Sequence, residues 1–220
     1  MSNLTAKLTV TKKETYIALL SICFAIILLL GLINDFFIGD FGGKYFLIFF
    51  TNQSNIIVFV WVILYIIGIL WKNNRLYRLT HYSPIISTIT FWISITFFIV
   101  AFMLFPVTGG KYYLTDQFFI VHALSPIYMW VIFLIVPGIG KFTWKHLLYS
   151  LIYPAAYLIF TVIIGETLNF FPYDFVNYKK IGTGWYILCV VILTVCFAGF
   201  GYLLGKAKNK VDKILTNSHT

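Results

Sequence analysis

Two polar features lie within apolar stretches of this sequence, and both carry side chains that can react. One is the run Phe50-Thr51-Asn52-Gln53-Ser54-Asn55, in which five consecutive polar residues follow a phenylalanine. The other is His122, which lies in a second apolar stretch. A threonine hydroxyl becomes an effective nucleophile when a base removes its proton, and neutral imidazole suits that task near neutral pH. Thr51 and His122 are therefore the predicted catalytic pair of an acyl-transfer site.

The two side chains are expected at the same depth in a membrane. Thr51 follows Lys44 by seven residues, and His122 follows Asp116 by six residues. With a helical rise of about 1.5 Å per residue, both positions lie roughly 10 Å below the same membrane boundary. A shared depth is a requirement for a shared site.

Three neighbours of Thr51 are candidates for substrate binding or for stabilising an oxyanion. Ser54 and Asn55 share its helix face, and the amide of Asn55 or of Asn52 can donate to a tetrahedral intermediate. Simpler roles remain open for all of these residues. Intramembrane hydroxyls commonly bond a carbonyl of their own helix, amides often join neighbouring helices, and a single histidine can be a packing residue.

An aromatic segment, residues 169–175, lies in the predicted outer loop and contains Tyr173. It can either cover the site or anchor the protein at the membrane interface, where aromatic rings are enriched. Asp174 and Glu166 are the carboxylates of this region that could orient His122.

The composition is that of a membrane protein. Of the 220 residues, 60% are hydrophobic and 10% are charged, with a mean hydropathy of +0.91. A soluble domain, a secreted disulfide scaffold, a collagen-like chain and a disordered protein are all excluded by these values. The net charge of +9 does not indicate nucleic-acid binding, because the basic residues form short clusters between uncharged stretches. The three cysteines lie in apolar stretches and are expected to be small apolar packing residues.

Six apolar stretches approach or exceed the ~20 residues that a helix needs to cross a bilayer. The sequence therefore predicts an all-α polytopic membrane protein, a single domain over residues 1–220. No repeat relates the first three spans to the last three, which disfavours an inverted-repeat transporter. The predicted spans are residues 16–33, 45–71, 82–107, 117–140, 147–165 and 184–205.

The basic residues predict the orientation of these spans, because lysine and arginine in short loops stay cytoplasmic. Twelve lie in the segments that share a side with the two termini, and four lie on the other side. Both termini are therefore predicted to be cytoplasmic, which places Thr51 and His122 in the outer half of the membrane.

Four segments together resemble a prokaryotic six-helix membrane family. They are Phe50 to Asn55, His122-Ala-Leu-Ser-Pro126, Tyr153-Pro154-Ala-Ala-Tyr157 and Phe171-Pro172-Tyr173-Asp174-Phe175. That family is related to the animal androgen-induced membrane proteins, which are threonine hydrolases of fatty acid esters of hydroxy fatty acids. The resemblance implies that Thr51 and His122 are the functional pair, and it places the chain in a bacterial cytoplasmic membrane.

The resulting prediction is a hydrolase whose substrate is a lipid ester taken from the bilayer. A site about 10 Å deep suits an ester group close to the headgroup boundary. The alternative is a lipid-binding protein or a small-molecule transporter without catalysis, although no carboxylate is expected at mid-membrane to serve as a relay. The sequence contains no nucleotide, haem or metal signature, so no cofactor is predicted, and it does not indicate an oligomeric state.

Overall fold

Helices form nearly all of the protein that the computed structural model describes, which is residues 10–39, 42–108 and 119–217. Short 3₁₀ turns occur at Gly43–Ile48 and Asp174–Val176, and π-helical segments occur at Val100–Leu104 and Ile120–Leu124. The helices are α1 Lys12–Phe37, α2 Phe50–Leu70, α3 Asn74–Thr80, α4 Ser83–Ile99, α5 Ser125–Ile135, α6 Trp144–Leu168, α7 Tyr178–Ile181 and α8 Thr183–Asn217. A further four-residue helix, Phe105–Thr108, follows the π-helical segment Val100–Leu104.

Five of these helical stretches are long and apolar enough to cross a membrane: α1, α2, Ser83–Leu104, α6 and α8. The chain is thus an all-α protein with several potential membrane-spanning helices. The described part of the predicted fourth span, Ile120–Ile135, is shorter, and its first residues lie outside the described ranges. The count of six spans and the cytoplasmic location of both termini remain predictions.

The observed helix ends differ most from the predicted span boundaries at three places, each for a local reason. The stretch 45–49 is not α-helical, because the 3₁₀ turn ends at Phe49 in an extended conformation with ψ of 130°. Helix α5 ends at Ile135 rather than at residue 140, because Pro137 favours an extended Val136, whose ψ is 118°. Helix α8 continues past residue 205 to Asn217, where its polar residues contact the protein.

Each π-helical segment ends two residues before a proline. Val100–Leu104 precedes Pro106, and Ile120–Leu124 precedes Pro126. A proline has no amide hydrogen to donate to the carbonyl four residues back, so the regular hydrogen-bond pattern cannot continue there. The hydrogen bonds there join residues five apart instead of four, which makes the helix wider, and His122 lies within such a segment.

Helix α4 lies at the centre of the bundle and packs against α2, α5, α6 and α8. One apolar core joins α1, α2, α4 and α5, and a smaller core around Phe50, Phe91, Ile95 and Tyr157 joins α2 and α4 to α6. Helices α6 and α8 bury only 17% and 6% of their most apolar stretches, so most of their surface is suited to contact with lipid.

The last turns of α8 hold the end of α5 through a buried ion pair. The ammonium of Lys208 is fully buried and donates to the carbonyls of Phe133 (2.9 Å) and Val136 (2.7 Å). The Asp212 carboxylate lies 2.9 Å from the same ammonium and accepts from the amide of Gly138 (2.8 Å). These bonds satisfy carbonyls that have no partner at the end of a helix.

Two further contacts extend this attachment to the connection between α5 and α6. The Asn209 side chain accepts from the amide of Phe142 and donates to its carbonyl, each at 2.8 Å. The hydroxyl of Ser83, at the start of α4, donates to Asp212 at 2.7 Å. The end of α8 therefore joins α4, α5 and the following connection.

Candidate functional site

Thr51 lies in the first turn of α2 and is buried, with 6% of its surface exposed. The first amides of a helix have no partner within it and need acceptors from elsewhere. The amide of Phe50 donates to the Tyr157 hydroxyl (3.1 Å), which in turn donates to the carbonyl of Ile48 (2.9 Å). A tyrosine of α6 therefore fixes the helix start that carries Thr51.

Thr51 lines a mainly apolar cavity of about 150 Å³. Three other polar side chains line it on the side formed by α2, α4, α6 and the predicted outer loop, namely Thr96, Tyr157 and Tyr173, and Thr194 lines it from α8. Most of the remaining wall is formed by apolar side chains of α4, α6, α8 and the outer loop, among them Ile95, Ile99, Leu151, Leu193, Phe197 and Phe175. The arrangement suits an elongated apolar ligand with one polar group near Thr51.

Tyr173, in the segment 169–175, lies beside Thr51. Its hydroxyl lies close to the Thr51 hydroxyl and amide and to the Tyr157 hydroxyl. Burial raises the pKa of the Tyr173 phenol, and the neighbouring hydrogen-bonding groups of Thr51, Tyr157 and Phe50 offset this only in part. The phenol therefore stays protonated at neutral pH and can serve as a hydrogen-bond donor beside Thr51.

The amide of Asn52 binds two neighbouring elements. Its nitrogen donates to the Asp35 carboxylate of α1 (2.6 Å) and to the carbonyl of Phe46 in the 3₁₀ turn (3.0 Å). Both hydrogens of this amide are therefore used, and the side chain is 4% exposed. Asn52 positions the start of α2 against α1.

Ser54 and Asn55 also make structural contacts. The Ser54 hydroxyl donates to the Thr51 carbonyl (3.0 Å) and lies 3.1 Å from the Thr96 hydroxyl. The Asn55 nitrogen donates to the carbonyls of Thr51 (2.8 Å) and Val121 (2.9 Å). In this structure neither hydrogen of the Asn55 amide is available to an oxyanion, so its predicted role would require one of these bonds to break.

His122 lies on the segment that Asn55 joins to α2. The Asn55 nitrogen bridges the carbonyls of Thr51 and Val121, so the residue next to His122 is held against the Thr51 turn. The His122 side chain is half-buried, and it is not among the described residues that line the cavity. The structure therefore brings the two predicted residues onto adjoining turns, with only Thr51 facing the cavity.

The two carboxylates predicted near His122 are engaged elsewhere. Glu166 pairs with Lys179 at 3.2 Å, and Asp174 pairs with Lys180 at 2.6 Å, with all four side chains largely exposed. The carboxylate that contacts the polar run is instead Asp35, through Asn52.

Sequence reasoning did not select Asp35, Thr96 or Tyr157 as site residues. The sequence signal that could have identified Tyr157 is its place in one of the four segments that carry the family resemblance. In the described ranges no three His, Cys, Asp or Glu side chains are grouped closely enough to hold a metal ion.

The chain matches no protein-family model, no curated protein and no solved structure. The resemblance to the threonine hydrolases therefore rests on the four quoted segments.

Proposed function

We propose that this protein is a membrane-embedded hydrolase of lipid esters in which Thr51 accepts the acyl group. The observation that carries the proposal is the position of Thr51, a buried hydroxyl in the wall of a mainly apolar cavity, next to the phenol of Tyr173. Fatty acid esters of hydroxy fatty acids are the substrate class that the family resemblance suggests.

Ester hydrolysis at this site needs a nucleophile, a general base and a hydrogen-bond donor to the oxyanion. The Thr51 oxygen attacks the ester carbonyl while His122 takes the hydroxyl proton, directly or through one water. As the tetrahedral intermediate collapses, the ester C–O bond breaks, and the alcohol leaves with the proton from His122. Water then hydrolyses the acyl-threonine by the same route and restores the hydroxyl.

Tyr173 is the proposed donor to the oxyanion. The structure favours it over Asn55, because both Asn55 hydrogens bond to carbonyls, whereas the Tyr173 hydroxyl is beside the reacting oxygen. A donor of this kind acts most strongly in a site that excludes water. In this proposal Asn52, Ser54 and Asn55 position the nucleophile and the histidine segment.

The surroundings of the cavity suit a substrate that comes from the bilayer. Helices α6 and α8 supply much of its apolar wall and have largely exposed outer surfaces. An acyl chain can therefore pass from lipid to the cavity without crossing water. We place the site in the outer half of the membrane with both termini inside, following the distribution of basic residues. The family resemblance suggests that this is a bacterial cytoplasmic membrane.

The first test is ester hydrolysis by the purified protein in lipid nanodiscs, with Thr51→Ala beside a matched control. Thr161→Ala makes the same change at another buried threonine, whose hydroxyl bonds the Leu158 carbonyl of its own helix. Thr51→Ala should reduce product formation to a small residual level, and Thr161→Ala should retain it. Full hydrolysis by Thr51→Ala would refute the proposed nucleophile.

A non-catalytic lipid-binding protein is the second candidate, and one observation favours it. Thr51 lines the cavity, whereas His122 is not among the described residues of its wall. A binding protein would retain a fatty ester without cleaving it, and Thr51→Ala would leave that binding unchanged. A wild-type protein that binds the ester and releases no acid would select this candidate.

A further inference from the structure

A second buried polar cluster lies at the end of the bundle opposite Thr51, and the proposed hydrolysis does not use it. It consists of Glu14 at the start of α1, Tyr65 in α2, Tyr77 in α3 and His81 between α3 and α4. Glu14 is 5% exposed, and Tyr65 and His81 are fully buried. Burying an ionisable side chain costs free energy unless the group is paired, so the hydrogen bonds of these residues show how that cost is offset.

The carboxylate of Glu14 accepts hydrogen bonds at both oxygens. One oxygen accepts from the amide and the hydroxyl of Thr11, both at 2.8 Å, in the capping box of α1. The other accepts from the Tyr77 hydroxyl at 2.6 Å. All three partners are donors here, so Glu14 serves purely as an acceptor, and the positive end of α1 favours its negative charge.

The hydrogen bond of His81 to Tyr77 defines the tautomer of the imidazole. Its Nδ1 lies 2.9 Å from the carbonyl of Tyr77, and a carbonyl only accepts, so Nδ1 carries the hydrogen. In the neutral ring Nε2 then has a lone pair. That Nε2 lies 3.7 Å from the nearer oxygen of Glu14 and has no hydrogen-bond partner among the described residues. The Nε2 of the neutral His81 ring and the Glu14 oxygen are both acceptors, and they face each other without a hydrogen between them.

We propose that His81 and Glu14 form a proton-binding site. A proton from water adds to the lone pair of His81 Nε2, forms an N–H bond directed at the Glu14 oxygen, and breaks no bond within the protein. The resulting ion pair links the first turn of α1 to the residues that precede α4.

The aromatic rings that stack on His81 stabilise the protonated imidazole. Tyr77 lies parallel to the imidazole with ring centres 3.8 Å apart, and Tyr65 lies on it at 5.4 Å. An imidazolium placed against aromatic faces is stabilised by their electron density.

The other charged and titratable groups set the pH range of proton uptake. Burial lowers the pKa of His81 below its ordinary value, the Tyr77 carbonyl and Glu14 raise it, and Lys208 of α8 lowers it. The net shift is downward, and uptake is expected below about pH 6.5, the usual histidine value. The remaining groups are the phenols of Tyr65 and Tyr77, and that of Tyr128 in α5, which faces Tyr65.

Nitrogen NMR of ¹⁵N-histidine-labelled protein in nanodiscs tests the proposal, with His81→Gln assigning the His81 signals. The wild-type ring should carry hydrogen on Nδ1 alone at alkaline pH and on both nitrogens at acidic pH. Hydrogen on Nε2 at alkaline pH, or a ring that stays neutral until the protein unfolds, would overturn it. These measurements need only the wild-type fold.

Glu14→Gln tests the partner, because glutamine also completes a capping box and so preserves the start of α1. Loss of the neighbouring negative charge should lower the His81 midpoint by about 1–3 pH units. His146 of α6, whose Nδ1 lies 2.9 Å from the Thr143 hydroxyl at the start of that helix, is the internal reference, and its nitrogen signals should be the same in the two proteins. An unchanged His81 midpoint in Glu14→Gln would show that Glu14 does not hold the proton.

Discussion

Removing the Tyr173 hydroxyl is the sharpest test of the proposed reaction. Tyr173→Phe keeps the ring, which stacks on Phe175 with centres 5.3 Å apart and meets the edge of Phe49 at 5.7 Å. Only the donor beside Thr51 is lost. Loss of one oxyanion donor typically lowers kcat by about 10²- to 10³-fold, and we expect a reduction of that order.

Tyr157→Phe is the matched control, because its hydroxyl has a structural role. It accepts from the Phe50 amide and donates to the Ile48 carbonyl, and both backbone groups would lose their partner. Each unpaired buried group costs about 1–3 kcal/mol, so this variant should mainly lower the free energy of unfolding.

The assay compares kcat for ester hydrolysis, binding of an uncleavable ester analogue, and thermal stability in the same nanodiscs. Tyr173→Phe should lose kcat while binding and Tm change little, and Tyr157→Phe should show mainly a lower Tm. If Tyr173→Phe hydrolyses the ester at the wild-type rate, the phenol is not the donor, and Asn55 becomes the next candidate.

Three further predictions concern the catalytic pair, the orientation and the buried ion pair. Thr51→Ala, His122→Ala and the double variant should leave about the same residual ester hydrolysis, because residues that act as one unit are not additive, and Thr51→Ser should retain part of the activity. Clearly additive losses would argue against a pair. A reporter fused to the C-terminus should read cytoplasmic and one inserted near Gly109 external, and the reverse pattern would move the site to the inner leaflet. Asp212→Ala should lower the free energy of unfolding by about 3–5 kcal/mol, because it leaves the Lys208 ammonium buried without its partner. A thermal unfolding curve like that of the wild type would show that the pair is not needed.

The class of fold was predictable from the sequence, and so was the burial of the polar run. Long apolar stretches leave few alternatives to membrane helices, and polar residues inside one of them face protein rather than lipid. The start of α2 was not predictable, because residues 45–49 are apolar and their 3₁₀ turn depends on hydrogen bonds from Asn52 of α2 and Tyr157 of α6.

The partners of the polar side chains were harder to predict. An amide such as Asn55 can donate to a ligand or to a carbonyl of a neighbouring helix, and only the packing of the Val121 segment against α2 decides between these uses. Tyr173 lies in an irregular loop, where no periodicity indicates which direction a side chain takes. Lys208 was counted among the cytoplasmic lysines, yet it is buried because α8 continues far enough to reach the end of α5.

The attachment formed by the end of α8 has a consequence for the order of biosynthesis. Lys208 and Asn209 are synthesised well after α5 and the connection at Phe142, to whose backbone they bond. Until they emerge, the carbonyls at the end of α5 have no ammonium to bond. The apolar helices can therefore be inserted before the bundle is closed, and closure has to wait until the end of α8 has been made.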